Sequence, residues 1–114
     1  MRTTLYNGQV ITPLVVRRGG VVVEDGSILR VFEGDDFERT GELIDCRGHY
    51  ISPGFVDIHT HGIFNGDTMD ATPEALHRIT RLHAQHGTTS LLPTTLSRGH
   101  DEILRALNNI CVCM

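Results

Sequence analysis

Residues 53–62 read Pro53-Gly54-Phe55-Val56-Asp57-Ile58-His59-Thr60-His61-Gly62. Proline fixes φ and glycine relaxes it, so Pro53-Gly54 punctuates the chain just before an apolar run begins. Residues 55–59 then read as a strand that gives way to a glycine-containing loop. Side chains alternate along a strand, which sends His59 and His61 to one side with Cα atoms roughly 6.5–7 Å apart at ~3.3 Å of rise per residue. Two imidazoles at that spacing can converge on one divalent ion at ~2.0–2.1 Å per bond, the remaining ligands coming from elsewhere. Parallel α/β sheets gather their ligands at the carboxyl ends of strands, which is where this pair falls.

Downstream, residues 65–71 read as a loop. Thr72-Pro73-Glu74 then opens a helix, with Thr as N-cap, Pro at the first helical position and an acid in the first turn. Leu76, Ile79, Leu82 and His83 form one packed face, and Gly87 suits the left-handed position after the helix. Residues 88–92 form a β-branched and apolar strand that ends at Pro93. A second amphipathic helix carries Ile103, Leu104, Leu107 and Ile110. Strand, helix, strand, helix with short connections is the pattern of a parallel α/β fold.

Upstream, residues 1–52 read as a small antiparallel β unit. Residues 21–24 and 27–31 flank Asp25-Gly26, whose tolerance of positive φ suits a type I′ hairpin turn. An earlier strand near residues 5–11 stops before Pro13. Residues 33–41 are acidic and turn-rich, and residues 43–46 and 49–51 flank a tight turn at Arg47-Gly48.

Composition removes several functional classes. The 114 residues are 39% hydrophobic and 21% charged, which is too apolar for disorder, and no apolar run approaches the ~18–20 residues of a membrane span. No secretory signal is visible, so a cytoplasmic location and no membrane partner are expected. A net charge of −4, with Arg scattered apart from Arg17-Arg18, offers no basic stripe for a phosphate backbone, so no nucleic-acid partner is expected. Cys46, Cys111 and Cys113 make an odd count without zinc-ribbon spacing and read as incidental thiols. His83 and His86 are three apart on a helix, with His83 in the packed stripe, while His49, His77 and His100 are isolated. Asn65-Gly66-Asp67 fits a turn or the mouth of a cleft, and Thr94 and Thr95 fit a strand end.

The stretch PGFVDIHTHG resembles the opening motif of the amidohydrolase superfamily, in which the two His after the first barrel strand bind a catalytic metal. Gly66-Asp67-Thr68-Met69-Asp70-Ala71-Thr72 and the block from His86 to Thr95 are similar to the N-acetylglucosamine-6-phosphate deacetylase family within it. The resemblance implies an α/β protein. Residues 1–52 would be the N-terminal part of a small β-sandwich, and residues 53–114 the first two β/α units of a metal-dependent TIM-barrel hydrolase, with the barrel incomplete. It also implies His59 and His61 as metal ligands, a divalent cofactor (Zn or Fe, one or two ions), a sugar-phosphate substrate and a homodimer for the complete enzyme. The remaining ligands, a Glu and two His, and the catalytic Asp would come from later strands, leaving no catalytic residue in this chain. Asp57 orients its neighbours instead. A complete barrel takes ~250 residues, so the 114-residue chain alone is expected to be inactive. Two alternatives stand beside this reading: a cyclic-amide hydrolase of the dihydroorotase or hydantoinase kind, which shares the first motif, and a non-catalytic truncated metal-binding protein.

Overall fold

Three strands in succession build the first sheet, because β-branched and apolar residues recur between turn signals. In the computed structural model, which describes residues Met1–Met114, these are β1 (Arg2–Ile11), β2 (Val16–Glu24) and β3 (Ser27–Glu33). β2 pairs antiparallel with both β1 and β3. Asp25 and Gly26 turn the β2–β3 hairpin with φ of 49° and 81°, as the Asp-Gly signal requires. Val10, Val21, Val22 and Phe32 form the buried apolar core of this unit, which spans Met1–Pro53. Gly19 and Gly20 lie against Phe32 where any Cβ would meet its backbone or ring.

The expectation of an antiparallel unit fails at its far edge. β4 (Glu42–Asp45) and β5 (Tyr50–Ile51) both run parallel to β1, pairing with Thr3–Tyr6 and Gln9–Val10 in turn. Arg47 and Gly48, at φ of 50° and 78°, do not reverse the chain. They jog it outward where β1 is itself irregular, beside Asn7 at φ 55°. The Gly48 N–H donates to the Asn7 carbonyl at 2.7 Å and the Gln9 N–H to that of His49 at 2.9 Å, so one interrupted strand continues along β1. The result is a mixed five-stranded sheet.

The second unit, Gly54–Met114, contains the β-α-β-α succession. β6 (Phe55–Thr60) pairs in parallel with β9 (Thr88–Pro93), and α1 (Pro73–Gln85) connects them. Thr72 caps α1 by accepting the Ala75 N–H at 3.3 Å, Pro73 occupies the first turn, and Gly87 follows the helix at φ 91°. α1 buries Ala75, Leu76 and Ile79. α2 (His100–Cys113) buries Ala106 and donates from Asn109 Nδ2 to the Thr72 carbonyl at 3.1 Å. The Glu102 carboxylate accepts the Gly99 N–H at 3.1 Å and so closes the start of α2.

Residues 65–71 are more ordered than a loop. β7 (Gly62–Ile63) and β8 (Gly66–Asp67) form a two-stranded hairpin, followed by a 3₁₀ turn, η1 (Thr68–Asp70). Asp67 and Asp70 close that turn reciprocally: the Met69 N–H donates to Asp67 Oδ1 at 2.7 Å, and the Asp67 N–H to Asp70 Oδ2 at 2.9 Å. Neither helix is long and apolar enough to cross a membrane.

Candidate metal centre

β6 does not run evenly into its loop. Asp57 pairs with Leu91 and Thr60 with Pro93, so three steps on β6 oppose two on β9. This bulge lies in the segment that carries His59, and bulges re-aim side chains beside strand ends. Its outcome is convergence: Nε2 of His59 and Nε2 of His61 lie 3.2 Å apart, with the rings edge to face at a centroid distance of 5.0 Å. His59 is exposed and His61 half-buried.

Each histidine is held from a different side. His61 Nδ1 meets the Thr94 carbonyl oxygen at 3.0 Å. A carbonyl only accepts, so Nδ1 carries the proton, and in the neutral ring the Nε2 lone pair is left free. Thr94 is itself fixed, since its N–H donates to the Thr60 carbonyl at 2.7 Å. The backbone of His59 is held by Asp57, whose Oδ1 accepts the His59 N–H at 3.0 Å. Asp57 Oδ2 faces His83 Nε2 at 3.5 Å, and the buried Thr60 hydroxyl lies 3.4 Å from the same nitrogen. His83 Nδ1 donates to the Ile79 carbonyl at 2.9 Å, fixing this ring on α1. Asp57 therefore lies behind the pair, between the strand and the helix.

No group of three or more His, Cys, Asp or Glu side chains gathers at a common point. His86 is exposed and turns its Nδ1 back to the Leu82 carbonyl at 2.8 Å, away from any partnership with His83. Cys46 lies in the first unit, and Cys111 and Cys113 lie on α2, all as free thiols. A cleft of about 420 Å³ opens beside His61, lined by the β7–β8 hairpin with Asp67 and Asp70. Thr94, read from the sequence as a strand-end residue, meets the site through its backbone carbonyl and not its hydroxyl; the residue that sequence reasoning missed is Phe64, at the tip of the hairpin.

No family model matches the chain. N-acetylglucosamine-6-phosphate deacetylase of Lysinibacillus sphaericus is 36% identical over 86 residues, covering 75% of this chain and 22% of the relative. The enzyme of the same name from Bacillus subtilis is 35% identical over 96 residues, 83% of this chain and 24% of the relative. Imidazolonepropionase of Acidiphilium cryptum is 47% identical over 57 residues, 46% of this chain and 14% of the relative. Among solved structures, N-acetyl-D-glucosamine-6-phosphate deacetylase of Mycobacterium smegmatis (the D267A mutant in complex with N-acetyl-D-glucosamine-6-phosphate) superposes with a TM-score of 0.82 at 25% identity. It covers 98% of this chain and 29% of that one. The Pasteurella multocida deacetylase reaches a TM-score of 0.89 at 22% identity over 99% of this chain and 30% of that one, a likeness of fold. This chain thus spans about a quarter of the length of the curated relatives it matches. Those relatives are hydrolases, and by sequence and fold the chain groups with the N-acetylglucosamine-6-phosphate deacetylases of the amidohydrolase superfamily.

Proposed function

We propose that this chain is the metal-anchoring opening of an enzyme that hydrolyses N-acetylglucosamine 6-phosphate to glucosamine 6-phosphate and acetate. The observation that carries this reading is the 3.2 Å approach of His59 Nε2 and His61 Nε2, with the Thr94 carbonyl holding the His61 proton on the opposite nitrogen. Two ligands of a tetrahedral ion at ~2.0–2.1 Å lie ~3.3–3.4 Å apart, so the donor set fits a divalent metal with little movement. Imidazole suits Zn and Fe alike, as one ion or two. Such an ion, when bound, acidifies a water and polarises the acetamide carbonyl.

The residues of this chain bind and orient. His59 and His61 are the ligands, and Asp57 holds the His59 backbone while facing His83. Asp57 is a positioning residue in this scheme. The carboxylate that takes a proton from water and returns it to the departing amine belongs to later strands, with the remaining ligands. In the same reading β6, α1, β9 and α2 are the first two β/α units of a (β/α)₈ barrel, incomplete within residues 53–114. Residues 1–52 are part of a small β-sandwich, and the complete protein is a homodimer acting on a sugar phosphate.

The test is calorimetric titration of the chain with Zn²⁺. The expected result is saturable binding that weakens by ~tenfold or more in His59→Ala and in His61→Ala. Isotherms identical to wild type would overturn the ligand assignment. The identity to an imidazolonepropionase favours one second reading, a cyclic-amide hydrolase. Acetate release from the sugar phosphate by the complete reading frame, with no hydrolysis of cyclic amides, removes it.

A further inference from the structure

The β7–β8 hairpin turns through Phe64 and Asn65, with φ of 40° and 58°. Both central residues at positive φ make a type I′ turn, for which Asn and Gly are the favoured occupants. Asn65 conforms. A phenylalanine held there is an outlier, because its Cβ crowds the backbone. Packing does not account for the choice, since Phe64 is 75% exposed.

The turn is held in place from beneath. Arg78 of α1 donates from Nη1 to the Asn65 carbonyl at 2.9 Å. Gly66 is buried against the same helix, where an added Cβ would lie 3.3 Å from the Ala75 carbonyl oxygen and 3.4 Å from Ile79. The Thr68 N–H donates to the His61 carbonyl at 2.7 Å, tying the far end of the hairpin to the histidine pair. A strained, solvent-facing aromatic ring is thereby held on the rim of the cleft that opens at His61.

Resting on the deacetylase reading, we propose that Phe64 is a substrate-contacting residue that presents its ring to the apolar face of the sugar. Pyranose rings carry one face of C–H groups, which an aromatic ring covers while the hydroxyls remain hydrogen-bonded at the edge. No Lys or Arg lines the cleft, so the ring of the substrate, not its phosphate, is what Phe64 meets. The acetamide then lies toward His61 and the phosphate away from the hairpin. Strain at Phe64 is retained because no residue at ease in this turn supplies the same flat apolar surface.

Saturation-transfer NMR of N-acetylglucosamine 6-phosphate with the 114-residue chain, recorded without metal, tests this against melting curves of the same proteins. Phe64→Tyr keeps both the ring and the strain and is expected to bind as wild type does. Phe64→Gly is expected to bind about two- to tenfold more weakly, yet to melt ~2–5 °C higher because the turn is relaxed. The proposal is overturned if the wild-type chain shows no transfer, if Phe64→Gly binds equally well, or if Phe64→Gly melts below wild type. Loss of zinc binding in the histidine variants is a separate outcome. The metal reading can therefore fail while the Phe64 result stands, and the reverse.

Discussion

Asp45 shows how much local geometry can do for a carboxylate lying wholly in solvent. The Arg47 backbone N–H donates to its Oδ1 at 2.9 Å, and Asn7 Nδ2 donates to the same oxygen at 2.9 Å. Those hydrogen bonds, the Arg47 one foremost, hold the carboxyl below its ordinary 3.8 against desolvation, with a lesser contribution from the Arg47 charge. A folded-state value below the unfolded one means stabilisation that is complete above about pH 4 and lost as pH falls through the lowered value. Asp45→Asn therefore flattens the acid limb: its urea midpoint falls less than that of wild type between about pH 5 and about pH 3. Equal slopes would show that the contact does not survive in solution. Neighbouring Cys46 moves the other way, its thiol pushed up first by burial and then by the Asp45 charge.

At the level of elements, α1 is the member on which the second unit depends. Ile79 is fully buried beneath the β7–β8 hairpin, and its carbonyl anchors His83. Ile79→Ala is expected to cost about 2–5 kcal/mol in chemical denaturation and to loosen the hairpin with it. A loss below about 1 kcal/mol would mean that the helix repacks. The start and stop of this helix were legible because Thr72, Pro73 and Gly87 act on their own few residues. The Asp25-Gly26 turn was legible for the same reason. The parallel course of β4 and β5 was not, because it depends on β1, some 40 residues away in sequence for the Thr3–Glu42 pair. The site divides likewise. His59 and His61 announce themselves by spacing and strand position. The carbonyl of Thr94 leaves no trace in residue type, and a strained Phe64 reads as one more apolar residue in a loop.

On the scale of the whole molecule, the second unit leaves much apolar surface in water. Phe55, Val56 and Ile58 of β6 are 64%, 67% and 73% exposed, although parallel strands are ordinarily covered on both faces. A groove of about 740 Å³ runs along β9 between the helices, lined by Leu76, Leu91, Leu92, Leu107 and Ile110 among others. The chain alone is expected to self-associate, with a sedimentation coefficient that rises with concentration over the micromolar range. A single concentration-independent monomer would contradict this. The hydrogen bond from His61 Nδ1 to Thr94 ties the donor atom of the pair to the fold of the whole unit. Its partners are 33 residues apart, and nothing short of a closed β-α-β crossover brings them together. An unfolded or half-made chain leaves the imidazole free to carry its proton on either nitrogen. The His61 tautomer that offers Nε2 is therefore set by tertiary structure, and the donor face of the histidine pair is defined only once the crossover has closed.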